Sequence, residues 1–156
     1  MRPFRILIAD DHEWVCRGLR SLLASRSDLE ICGEAVDGHD VIKKARKSKP
    51  DLILLDIGMP YISGLDAGRE ILASDPAVKI LIITVHSHRQ VAEEAWRLGA
   101  HGFLCKSDAR RDLLTAIDAV QRGERFFPEL EDYQDTRPTT SPNAPSMFPR
   151  ASAKTA

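Results

Sequence analysis

Asp51-Leu52-Ile53-Leu54-Leu55-Asp56-Ile57-Gly58-Met59-Pro60 is the stretch on which the fold turns. Four consecutive aliphatic residues without polar alternation are the pattern of a strand buried on both faces of a parallel α/β sheet. The run stops at Asp56, and Gly58 and Pro60 behind it signal a turn. An acid is thereby set at the carboxyl end of an interior strand, where open α/β sheets bind ligands. Burying an unpaired carboxylate is costly, so a lone Asp here would most simply cap the turn. The other strand ends argue for more.

Phe4 to Ala9 reads as a second buried strand and runs into the paired acids Asp10-Asp11. Val15, Leu19, Leu22 and Leu23 follow at helical spacing. A helix amino terminus favours one acid through its dipole, but two in a row need a further reason. Leu29 to Ala35 alternates and is less hydrophobic, which places it near the sheet edge. Val41, Ile42 and Ala45 among lysines and arginines make an amphipathic helix that ends at Lys49-Pro50. Gly64 to Leu72 is a third helix, and Lys79 to Thr84 a buried strand that ends on a hydroxyl. Val91, Ala95 and Leu98 mark a fourth helix, closed by Gly99. Gly102 to Lys106 is a short strand ending on a cation, and Leu113, Leu114, Ile117 and Val120 define a last helix before Gly123. Strand and helix alternate five times, which implies a parallel sheet with helices on both faces. Its strand ends, two acids, an acid, a hydroxyl and a lysine, converge on one edge.

At 156 residues with a net charge of −1, the chain suits one α/β domain and carries no general electrostatic attraction for nucleic acid. No apolar run approaches the roughly 20 residues needed to span a bilayer. The amino terminus offers an unbroken apolar run of only four residues, Ile6 to Ala9, before its aspartates, so no secretory leader is expected, and the expected location is cytoplasmic. Cys16, Cys32 and Cys105 lack metal-like spacing. His12, His86, His88 and His101 likewise fit no familiar metal pattern. From residue 128 the composition changes: Pro138, Pro142, Pro145 and Pro149 stand among Ser, Thr, Asn and Ala. Residues 1–127 are therefore expected to form the domain and 128–156 a disordered tail.

Asp10, Asp11 and Asp56 together would be three mutually repelling carboxylates. Two such charges about 4 Å apart repel by about 4 kcal/mol at an effective dielectric near 20. A cation must join them or a pKa must rise. Oxygen donors with positions to spare suit Mg²⁺, which keeps water and accepts a phosphate as co-ligand. With the Lys106 ammonium and the Thr84 hydroxyl nearby, the edge becomes a receptor for a phosphoryl group, and one carboxylate a candidate nucleophile.

These residues resemble the receiver domain of bacterial two-component response regulators over residues 4 to about 127. Asp10-Asp11-His12-Glu13-Trp14-Val15-Cys16-Arg17-Gly18-Leu19 and Gly99-Ala100-His101-Gly102-Phe103-Leu104-Cys105-Lys106 resemble its NarL/FixJ subfamily. The resemblance implies a flavodoxin-like (CheY-like) α/β fold, five parallel strands in the order 2-1-3-4-5. It implies that Asp56 accepts phosphate from a sensor histidine kinase or phosphotransfer protein. Asp10, Asp11, Asp56 and the Gly58 carbonyl would hold Mg²⁺, while Thr84 and Lys106 would contact the phosphoryl oxygens. Phe103 matches the switch aromatic, and Val85 and His86 border the pocket as modulators. Val85 stands where a smaller residue is usual, Phe103 lacks the frequent tyrosine hydroxyl, and Ser107 replaces the familiar proline.

Such a domain is a phosphoacceptor rather than an enzyme, although it catalyses its own phosphorylation and dephosphorylation. Two outputs follow from the resemblance. One is a stand-alone receiver that switches a protein surface, with homodimerisation on phosphorylation as one form. Trp96, among Val91, Ala92 and Ala95, is the expected anchor of that surface. The other is the receiver portion of a DNA-binding transcriptional regulator. Residues 129–156 contain no helix-turn-helix pattern, so this chain is expected not to read DNA itself.

Overall fold

In the computed structural model, which describes residues 2–85, 88–128 and 130, the apolar runs become five strands. They are β1 (Phe4–Ala9), β2 (Leu29–Ala35), β3 (Leu52–Leu55), β4 (Lys79–Thr84) and β5 (Gly102–Cys105). Between and after them lie α1 (Glu13–Leu23), α2 (Gly38–Ser48), α3 (Gly64–Ser74), α4 (Arg89–Leu98) and α5 (Ala109–Gln121). The sheet order is β2-β1-β3-β4-β5 and every pairing is parallel, as the alternation implied. The less hydrophobic β2 does lie at an edge.

Alternation along the strands sorts side chains to two cores. Leu7, Ile53, Leu55, Ile80, Ile82 and Phe103 face α2, α3 and α4. Ile6, Ile8, Leu52, Leu54, Leu81, Ile83 and Leu104 face α1 and α5. A strand buried on both faces needs apolar residues at every position, which is why β3 shows no polar alternation. Short polar side chains start two helices: Asp37 accepts the Asp40 N–H at 2.8 Å, and Ser63 accepts that of Asp66 at 3.2 Å. Gly99 ends α4 in the left-handed region, φ 104°.

Two details go beyond the local sequence patterns. Lys106–Asp108 forms a 3₁₀ turn, so β5 ends at Cys105 and the lysine stands just past it. The apolar packing continues after α5, where Phe127 and Leu130 are both buried in the α2–α4 core. It thus reaches beyond the expected limit at residue 127. The rest of the expected tail, 129 and 131–156, lies outside the described residues. Among the described residues no helix is long and apolar enough to cross a membrane.

Candidate functional site

The chain departs from β1 in opposite directions, to β2 on one side and β3 on the other. That reversal opens a crevice at the carboxyl ends of the two central strands. Backbone hydrogen bonds carry the ladder one step past the strands and so fix the first residues of the crevice. Asp10 N–H donates to Ala35 O at 3.0 Å, and Asp56 N–H to Ala9 O at 2.9 Å. Both carboxylates are therefore built into the sheet edge, and they are only 3% and 4% exposed.

Lys106 spans them. Its Nζ lies 2.7 Å from Asp10 Oδ2 and 3.3 Å from Asp56 Oδ2. Thr84, the last residue of β4, is fully buried at the same edge. The Gly58 N–H donates to Asp56 Oδ1 at 3.2 Å. A tight packing contact supports this loop: a Cβ on Gly64 would meet the Asp56 carbonyl oxygen at 2.2 Å and Ile57 Cα at 2.7 Å. Only glycine lets the start of α3 approach the backbone of Asp56 so closely.

Burial pushes the Asp56 pKa up, and the neighbouring Asp10 charge adds to the rise. Lys106 and the Gly58 N–H work against it without cancelling it. For Lys106, burial disfavours the ammonium, but its hydrogen bond to Asp10 and the charges of Asp56 and Asp10 hold its pKa above the usual range. The lysine is thus firmly charged, while the nucleophile candidate is a carboxylate of raised basicity. Asp11 is partly exposed at the rim. Ligand atoms from Asp10, Asp11, His12 and Asp56 all lie within 4.8 Å of one another. One ammonium against three carboxylates leaves a net negative pocket of oxygens, a donor set that fits Mg²⁺.

His12 was not expected here. Its Nδ1 is 3.2 Å from Asp10 Oδ1 and 3.2 Å from Asp11 Oδ1. Spacing among the histidines could not reveal it, because its neighbours are carboxylates. The legible signal was its place directly after the acid pair.

Other expected site residues fall further out. Val85 is 64% exposed just past β4, whereas His86 lies outside the described residues. Phe103 is fully buried. The Trp96 surface needs correction: Ala92 and Ala95, expected beside it, are fully buried against the sheet. Small residues three apart on α4 mark its packing face. Trp96 itself is half-buried, with the Arg125 guanidinium 4.0 Å from its ring centroid and the Phe127 ring edge-on at 4.9 Å.

Comparison with known proteins agrees with this geometry. The response regulator receiver domain model matches residues 6–118. The chain belongs to that family. It is 40% identical over 123 residues to an uncharacterized transcriptional regulatory protein, YxjL, of Bacillus subtilis. That match covers 79% of this chain and 56% of the relative. It is 37% identical over 122 residues to the response regulator UvrY of Escherichia coli, covering 78% and 56% respectively. The chain thus spans just over half the length of these curated relatives. Among solved structures, a LuxR-family two-component response regulator from Aurantimonas superposes with a TM-score of 0.79 at 33% identity, covering 83% of this chain and 94% of that one. The signal receiver domain of a response regulator NarL from Mycobacterium tuberculosis superposes with a TM-score of 0.75 at 26% identity, covering 80% and 100%.

Proposed function

We propose that this receiver domain accepts a phosphoryl group on Asp56 from a histidine kinase or phosphotransfer protein and uses it to switch a protein-binding surface. The observation that carries this is the Lys106 ammonium held between two buried carboxylates from neighbouring strands. An Asp56 oxygen bonds to phosphorus as the P–N bond to the donor's histidine breaks, and the displaced ring nitrogen takes up a proton. Asp10, Asp11, Asp56 and the Gly58 carbonyl would hold Mg²⁺, which supplies positive charge for the phosphoryl oxygens. Lys106 offers a second cation, and Thr84, at the end of β4, a hydroxyl donor.

Phosphorylation of Asp56 adds up to roughly two negative charges beside Thr84 and Lys106. Drawing those two inward disturbs the ends of β4 and β5, and Phe103 in β5 relays the disturbance to α4. The fitting test is incubation with acetyl phosphate and Mg²⁺, borohydride trapping and mass spectrometry. Labelling is expected at Asp56 and should require Mg²⁺; labelling that persists unchanged in Asp56→Asn would sink the assignment.

A second reading has its own support in the lengths of the relatives. A matched relative carries the name transcriptional regulatory protein, and the match covers 56% of it. On that reading this sequence is the receiver portion of a DNA-binding regulator. Duplex DNA binding by residues 1–156 alone should then be absent, and phosphorylation should promote pairing of two copies. Sedimentation of the phosphorylated chain distinguishes pairing from a monomeric switch.

A further inference from the structure

The carboxylate oxygens of the pocket divide between two sides. Lys106 occupies the Oδ2 atoms of Asp10 and Asp56. The Oδ1 atoms have different neighbours: that of Asp56 accepts the Gly58 N–H, and that of Asp10 accepts the His12 N–H at 2.9 Å. The His12 ring stands on this second side, with Nδ1 at 3.2 Å from Oδ1 of buried Asp10 and 3.2 Å from Oδ1 of Asp11 at the rim.

Adjacent ligands of a six-coordinate ion bound at about 2.1 Å are separated by about 3 Å, close to these spacings. His12 also has the backbone position that points it there. It is the cap residue before α1, in extended conformation, yet its side chain makes no capping hydrogen bond to the helix. Mg²⁺ gains little from a nitrogen donor, because it prefers oxygen and retains water. Imidazole instead favours later first-row ions, whose affinity for nitrogen-containing sites rises toward nickel and copper.

We propose that His12 joins Asp10, Asp11 and Asp56 as a nitrogen ligand, so that the pocket takes divalent ions of the Ni²⁺ and Zn²⁺ type more tightly than Mg²⁺. This rests on the reading of the acid cluster as the metal-holding phosphoacceptor pocket. An ion that uses His12 in addition to the acids has one position fewer for a phosphoryl oxygen. Transition ions of this class therefore compete with Mg²⁺ and restrain phosphorylation of Asp56.

The test is calorimetric titration of the untagged chain with NiCl₂ and, separately, MgCl₂, in wild type and His12→Asn. Wild type is expected to bind one Ni²⁺ at least about tenfold more tightly than Mg²⁺, and His12→Asn to reduce that ratio by about tenfold or more. Quenching of Trp14 fluorescence, whose ring lies 6.4 Å from that of His12, should follow the same Ni²⁺ isotherm. Ni²⁺ binding that is absent, or a ratio unchanged by His12→Asn, overturns the proposal. Labelling of wild-type Asp56 by acetyl phosphate and Mg²⁺ separates the two readings. If labelling succeeds without a His12-dependent Ni²⁺ preference, only the nitrogen ligand fails. If the preference holds without labelling, the pocket binds metal but the phosphoacceptor reading fails.

Discussion

Phe103 and Phe127 stack with their rings nearly parallel, the centroids 6.4 Å apart and the planes within 17°. Phe127 comes from the segment after α5, which closes over the edge of the sheet. Phe126 N–H donates to His101 O, and Phe103 N–H to Phe126 O, both at 2.9 Å. The aromatic residue proposed to relay phosphorylation is thus packed against the outgoing chain. Any repacking of Phe103 must also shift Phe127, and through it Trp96.

The segment should therefore carry stability that composition alone does not suggest. Phe127→Ala is expected to cost about 3–5 kcal/mol, the range for emptying a buried aromatic site. A chain ending at Pro128 should be less stable than one ending at Leu130 by about 1.5–3 kcal/mol, since Leu130 is almost fully buried. Urea unfolding of these three proteins beside the unsubstituted chain measures both differences. Equal midpoints for the two truncations would show that Leu130 adds nothing to the fold.

At the acid pocket the two obvious substitutions should act in opposite directions. Lys106→Met leaves two buried carboxylates without their cation and should destabilise by about 3 kcal/mol. Asp56→Asn removes one of the mutually repelling charges, while Lys106 keeps its 2.7 Å contact with Asp10. It should raise Tm at pH 7 by a few degrees. Because the folded-state pKa of Asp56 is raised, the folded protein holds a proton there more readily than the unfolded chain. That contribution to stability falls as pH rises from the ordinary carboxylate value of 3.8 through the raised one. The stabilisation by Asp56→Asn should accordingly shrink below that window. Melting curves at several pH values, without metal, test the sign.

The five strands were legible because a sheet covered on both faces demands uninterrupted apolar runs, and β3 and β4 supply them. The acids were legible because each ends such a run. What escaped was set by contacts between distant parts of the chain. Nothing near Leu130 announces that it fills a core between other elements. Ala92 and Ala95 read from sequence as part of a partner-binding surface around Trp96, yet their small size is what lets α4 approach the sheet. His12 had a readable position but no readable orientation, since a ring beside two acids can also turn to solvent.

His101 gives the protein a second pH dependence of opposite sense. Its Nδ1 accepts the Ile80 N–H at 3.1 Å, so the ring is held neutral. Burial lowers its pKa to about 4, helped by the charges of Lys79 and Arg125. The unfolded chain takes up the proton first, so stability is lost as pH falls from about 6.5 to about 4. His101→Asn can offer an acceptor without titrating and should flatten that part of the curve. An equally steep acid loss in the variant would place its origin elsewhere.

The last prediction concerns how a phosphodonor protein reaches Asp56. Trp14, Val36, Tyr61 and Val85 are the large apolar side chains that stand exposed among the described residues, with Trp14 at 73% and Tyr61 at 83%. Each follows the carboxyl end of a different strand: β1, β2, β3 and β4. In a parallel sheet those ends share one side, so these apolar side chains stand on the same side of the sheet as the acid pocket. Exposed aromatic residues beside a charged centre are suited to anchoring a partner, and losing one such anchor often costs more than about 1.4 kcal/mol, or tenfold. Trp14→Ala should therefore slow phosphotransfer from a histidine-phosphorylated protein donor by about tenfold. Acetyl phosphate needs no docking surface and should label Trp14→Ala at close to the wild-type rate. Parallel time courses with the two donors make the comparison. A loss of equal size with both donors would mean that Trp14 shapes the pocket itself, and no loss with the protein donor would mean that docking bypasses this side chain.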